Sequence, residues 1–288
     1  MSTKSQPRLR VAAINFLNPA PLMWDFEHPP LSVPLALRYQ IERMSPSECA
    51  ARLANGQADI GLIPIAALAT TPGLRILPGS TIASKGRVRS LLLVRRAAQP
   101  LAALRSVAAD NASRTTLAYA RILFRHWGNP DVPFLPAVAD LDSMLQRADA
   151  AILIGDPALL ALEERANRFE RTGEELAYHD LAQEWRSLTG LPFVSAVWAA
   201  ASASPLDESI VQDFIQSRNH GLQNIDALVA EWESRLPIPE QTIRSYLTAN
   251  IHYILDEDCL EGMRDFFRIA AKLGILPEYA VTIPEPVL

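Results

Sequence analysis

Between residues 35 and 63 the chain reads Leu35-Ala-Leu-Arg-Tyr-Gln-Ile41, then Ser45-Pro46-Ser47-Glu48, then, past Gly56, Ala58-Asp59-Ile-Gly61-Leu-Ile63. The first and last segments are short apolar runs of strand length. The middle one has the form of a capping box, a serine followed three residues later by a glutamate, with proline at the first helical position. Gly56 supplies a stop for that helix. Strand, helix and strand in this order predict a parallel sheet with helices on its faces.

The same alternation extends in both directions. Leu9–Ile14 reads as a buried strand, and Leu74–Leu77 and Val88–Val94 as further strands, the last apolar enough to cross between two lobes. Ser106–Ala109, Val132–Leu135 and Ala150–Ile154 are the next strand candidates. Helices are expected from Ser113 to about Trp127, from Asp140 to Arg147 and from Asp156 to about Arg168. A Glu-rich polar connection surrounds Gly173, Leu181–Leu188 reads as helical, and Phe193–Ala200 is the candidate for a second crossing strand. The last third is mostly helical: Asp207–Leu222, Ile225–Ser234, Pro239–Thr248 and Asp256–Leu273. No repeat of 20–50 residues interrupts this pattern.

Composition sets the outer limits. A chain of 288 residues, 49% hydrophobic and 20% charged, can bury a sizeable core and suggests two domains or lobes. Its net charge of −5 gives no global attraction for nucleic acid or anionic lipid. No run approaches the roughly 20 apolar residues of a membrane span. The N-terminal apolar run is too short for a secretory signal, which predicts a cytoplasmic protein. Cys49 and Cys259 lack a Cys or His at metal spacing, and His28, His126, His179, His220 and His252 form no helical metal motif, so no metal is expected. Glycine-rich phosphate loops are missing too, so no nucleotide cofactor is expected. Oligomeric state is not encoded in these features.

Four loops carry the candidate chemistry. Asn15-Phe16-Leu17-Asn18-Pro19 follows the first strand, where open α/β folds bind ligands; Asn18 fits a ligand contact, and also a turn or cap. Ser113-Arg114-Thr115-Thr116 stands where a helix begins. Its hydroxyls and free N–H groups suit an anion with help from Arg114, and equally suit ordinary capping. At Ile154-Gly155-Asp156-Pro157, Gly155 permits close approach of a ligand, while Asp156 reads as a helix N-cap or a general base, the cap being favoured. Ser84-Lys85-Gly86 precedes Ser90, which lacks a nucleophile elbow and is better suited to hydrogen bonding.

Taken in order, these segments resemble one family. Val11 to Leu22, Ala58-Asp59-Ile-Gly61-Leu-Ile-Pro64, the Ser84–Gly86–Val88–Ser90 pattern, Ser113–Thr116 and Ile154-Gly155-Asp156-Pro157-Ala158-Leu159 are similar to chorismate dehydratase motifs of the futalosine route to menaquinone. So is the stretch from Asp180 through Glu184-Trp185, Thr189-Gly190 and Pro192-Phe193-Val194 to Trp198. The resemblance implies an α/β, two-lobed fold of the periplasmic-binding-protein type II kind, with a ligand cleft between lobes and a helical C-terminal segment. It implies one lobe from residues 1–93 and 198–288, and the other from 94–197.

It further implies removal of water from chorismate to give 3-[(1-carboxyvinyl)oxy]benzoate, without metal or organic cofactor. Asn18 and Ser90 would face the reacting part of the substrate. Ser84, Gly86, Ser113, Arg114, Thr115, Thr116, Gly155 and Asp156 would bind it. The proton acceptor stays open between Asp156 and the substrate's own side-chain carboxylate. The dihydroxynaphthoate synthase of the same route resembles this family but carries a histidine where Gly155 stands. A non-catalytic solute-binding protein is the rival of another class; it would be expected to carry a secretory signal.

Overall fold

The structure, a computed structural model, describes residues 8–110 and 114–282. Eleven strands form two sheets. They are β1 (Leu9–Ile14), β2 (Tyr39–Met44), β3 (Ile60–Pro64), β4 (Arg75–Ser84), β5 (Leu91–Arg96), β6 (Val107–Asp110), β7 (Phe134–Ala137), β8 (Ala150–Ile154), β9 (Leu176–Asp180), β10 (Phe193–Ala200) and β11 (His252–Ile254). The first sheet runs β11-β4-β10-β3-β1-β2 and the second β7-β6-β8-β5-β9. The opening segment behaves as its pattern requires. β1 pairs in parallel with both β2 and β3, and the helix Pro46–Ala54 between them carries the complete Ser45–Glu48 capping box.

The edges of several elements fall elsewhere than the sequence suggests. Leu35 closes a helical turn, Ser32–Leu35, and the strand begins only at Tyr39, where pairing with Leu9 starts. The leucine-rich run is therefore a turn, and Leu37 is 77% exposed. β4 continues through Pro78-Gly79, which reads as a break. The ladder to β10 shifts register there, and Gly79 takes the positive φ of 90° that the bulge needs. The expected helix from Asp156 to Arg168 is two, Asp156–Glu163 and Arg165–Thr172, separated at Glu164. The last turn expected in Pro239–Thr248 is a π-turn, Tyr246–Asn250, after the helix Glu240–Ser245. The helix expected to start at Ser113 is described from Arg114 to His126; Asn111, Ala112 and Ser113 lie outside the described residues.

Neither strand expected to cross between lobes does so. β5 belongs whole to the second sheet and β10 whole to the first, so the chain passes between sheets in the connections 85–90 and 181–192. We propose that the lobes divide in those connections rather than within the strands at 93 and 197. One carboxylate ties the crossings together. Asp180, half-buried, accepts the N–H groups of Val88 and Arg89 from the first crossing and of Ala182 and Gln183 from the second. Both cysteines are free and buried, and among the described residues no helix is long and apolar enough to cross a membrane.

The two sheets share a core. The helix Arg114–His126 follows a second-sheet strand, yet its Tyr119 ring stacks on Phe193 of β10 at 3.9 Å and on Phe266 of the C-terminal helix Glu257–Lys272 at 4.2 Å. Trp185 meets the same ring edge-on at 4.8 Å. All four side chains are 0% exposed. Replacing Tyr119 by Ala leaves a cavity at this junction and is expected to cost about 3–5 kcal/mol of stability, read as a lowered midpoint in urea denaturation.

Candidate functional site

The site is a cavity between the two sheets. It is lined by Ile14, Phe16 and Asn18 at the end of β1, by Pro46, Pro64 and Ile82, by Ser90 and Leu91 at the start of β5, by Thr116, by Ile154 and Gly155 at the end of β8, and by Ser195 and Ala196. The space bordered by its lining, together with the open solvent at its mouth, is about 410 Å³. The carboxyl end of β1 from one sheet and that of β8 from the other converge here, the position at which α/β folds place ligands. Among the described residues lining it, none is ionisable.

Three hydrogen bonds draw the lobes together around it. The Tyr246 hydroxyl donates to Ser90 Oγ at 2.8 Å, with both residues buried. The Leu17 N–H donates to Asp156 Oδ1 at 3.0 Å. The Ala66 N–H donates to Thr115 Oγ1 at 2.9 Å. Asn18 sits beside the Tyr246 phenol, and its Oδ1 is sealed from solvent without a hydrogen-bond partner. A buried acceptor left unpaired costs free energy that a ligand donor can recover.

The expected site residues divide into three groups. Asn18, Ser90, Thr116 and Gly155 line the cavity. Thr115 stands one residue away with its hydroxyl oxygen occupied by Ala66, and Arg114 is exposed and outside the lining. Ser84 and Gly86 also fall outside it. The Ser84 hydroxyl donates to the Gly86 carbonyl at 2.9 Å, closing the turn that starts the first crossing. Ser113 lies outside the described residues.

Two roles favoured by the sequence change. Asp156 is not the N-cap of its helix. Gly155 is, at φ 71°, and makes no side-chain cap. The Asp156 carboxylate instead reaches the β1 loop, where it accepts the Leu17 N–H. The close approach that Gly155 allows is that of a ring: a Cβ there would stand 2.7 Å from Phe16. Tyr246, Ser195 and Asp180 were missed. Tyr246 is 156 positions from Ser90, and its periodicity is that of any core-facing helical tyrosine.

Among the described residues, His252, Asp256 and Cys259 are metal-type donors that cluster within 4.8 Å of one another. Asp256 is already engaged by Lys85 at 2.8 Å, by His252 at 2.8 Å and by the Cys259 N–H at 3.0 Å. This cluster lies outside the cavity lining.

The model of the menaquinone biosynthesis family matches residues 9–272. The chain belongs to that family. It is 28% identical over 256 residues to the chorismate dehydratase of Thermus thermophilus, covering 86% of this chain and 91% of that one. The fold is similar to the crystal structure of an Archaeoglobus fulgidus protein, with a TM-score of 0.70 at 15% identity over 93% of this chain and 98% of the other. It is also similar to a Candida albicans gene product described as having the generic periplasmic-binding-protein fold. There the TM-score is 0.64 at 18% identity, over 96% of this chain and 92% of that one. The family member's two sheets and its helical C-terminal segment are thus those of a periplasmic-binding-protein-like fold.

Burial lifts the Asp156 carboxyl to about 6, against the pull of the Leu17 N–H, from an ordinary value of 3.8. The folded state therefore holds its proton more tightly than the unfolded state. Its stability falls as pH rises through the window from about 4 to about 6, by about 2–3 kcal/mol in all. Asp156→Asn should lose that window. The difference in unfolding free energy between wild type and variant, measured at pH values across it, checks the sign and the size.

Proposed function

We propose that this chain dehydrates chorismate to 3-[(1-carboxyvinyl)oxy]benzoate, as a hydro-lyase of menaquinone biosynthesis acting in the cytoplasm. The observation that carries the reading is a cavity between two lobes whose lining is apolar and neutral, with one acceptor in it, Asn18 Oδ1, buried and unpaired. The chorismate dehydratase named above supports the substrate.

The chemistry fits such a wall. Chorismate loses the proton on C3 and the hydroxyl on C4, and the ring becomes aromatic, so the driving force lies within the substrate. Two electrons leave the C3–H bond to form the new ring double bond, and the C4–O bond breaks to release the hydroxyl, which departs as water with a proton. Hydride, electron and group carriers have no part in that balance. The protein has to orient the ring, exclude water and stabilise the departing oxygen. Asn18 and Ser90, both in the cavity lining, serve those tasks. Thr116, near the helix start, belongs to the same lining.

The composition of the lining supports a choice of proton acceptor. Asp156, held on Leu17, is not among the lining residues. The substrate's own side-chain carboxylate, carried into the cavity with the ring, is then the nearest base.

Incubation of the purified chain with chorismate is expected to generate an aromatic ultraviolet spectrum catalytically; a solute-binding protein would leave the spectrum unchanged. Asn18→Ala should lower kcat by about a hundredfold or more while circular dichroism stays native. Asp156→Asn keeps an acceptor for the Leu17 N–H, and its turnover should stay within about tenfold of wild type. A loss comparable to that of Asn18→Ala would make Asp156 the base.

A further inference from the structure

We infer that Tyr246 is a positioning residue that sets which way the Ser90 hydroxyl donates. The inference rests on the dehydratase reading for its substrate, and on geometry alone for the rest. The backbone of Ser90 has little freedom. The two N–H groups before it, of Val88 and Arg89, are held by Asp180. Arg89 itself takes a positive φ of 64°, which aims the following residue inward. On the other side, the Ser90 carbonyl accepts the Gly155 N–H at 2.8 Å.

What remains free is rotation of the serine side chain and its proton. A serine hydroxyl has one donor and two acceptor lone pairs. The Tyr246 O–H donates to Ser90 Oγ at 2.8 Å, so one lone pair is taken from the side of the C-terminal segment. The Ser90 proton is left for another acceptor, and the open direction is the cavity that Ser90 lines. Ser90 thereby becomes a directed donor to a leaving hydroxyl or a carboxylate oxygen.

Tyr246 is built to keep that polarity. It is 0% exposed, and burial raises its phenol well above the ordinary tyrosine range, so the O–H stays protonated in any working buffer. It opens the π-turn Tyr246–Asn250. Such turns are rare and recur at functional sites. The far end of the turn is anchored to the first crossing, where Asn250 Nδ2 donates to the Arg87 carbonyl at 3.0 Å. The turn and the serine it orients are thus fastened to the same connection.

The test is Tyr246→Phe in the full chain, which removes one oxygen and preserves the ring. Turnover of chorismate is compared for wild type, Tyr246→Phe, Ser90→Ala and the double variant. Loss of one directed hydrogen bond is expected to lower kcat by about tenfold, with KM within about twofold and no further fall when Tyr246→Phe is added to Ser90→Ala. A role in stability alone would lower the melting temperature and leave kcat unchanged, which would overturn the inference. So would full additivity of the two losses. If wild type itself leaves chorismate unchanged, the dehydratase reading fails, and crystal structures still decide the positioning. Ser90 should hold one rotamer in wild type and more than one in Tyr246→Phe; a single unchanged rotamer would refute it.

Discussion

Asp180 accepts four backbone N–H groups with one carboxylate, two from each place where the chain passes between sheets. A buried carboxylate is costly unless its lone pairs are satisfied. Here burial raises its pKa while each N–H pulls it back. The arrangement fixes where the crossings lie relative to each other. From it follow the start of β5, the inward turn at Arg89 and the placement of Ser90 opposite the β1 loop.

The lobes meet through both polar and apolar contacts. Single hydrogen bonds from Leu17, Ala66 and Tyr246 span the junction beside the cavity, while the Tyr119, Phe193, Trp185 and Phe266 cluster packs the two halves against each other. The apolar contact is nondirectional and supplies the bulk of the attraction. The polar contacts set register at the level of individual atoms. A pocket that must present Asn18 and Ser90 to one small ring needs both, since a displacement of about 1 Å is enough to spoil such a site.

Much of the architecture is legible in the sequence. The strand at Leu9–Ile14, the capped helix at Pro46, the strands Ala150–Ile154 and Phe193–Ala200 and the helical last third carry strong local signals, and the structure contains each of them. Elsewhere strand pairing overrides local composition. β4 runs through Pro78-Gly79 because β10 and β11 flank it, and β9 forms from a polar stretch because β5 offers it an edge. The site was legible as a set of loops but not as an arrangement. Asn18, Ser90, Thr116 and Gly155 line one cavity, whereas Ser84, Gly86 and Arg114 do not, and a sequence treats the two groups alike.

The sequence by itself determined the local elements, their alternation and the family pattern of the loops, because capping, periodicity and turn chemistry act over a few residues. Only the tertiary structure decided that Asp156 reaches Leu17 instead of capping its own helix, that Phe16 fills the space Gly155 leaves, and that Tyr246 meets Ser90. Those contacts join residues more than a hundred positions apart. A hydrogen bond between distant positions leaves no period or spacing in the chain, so it exists as information only once the two lobes have closed on each other.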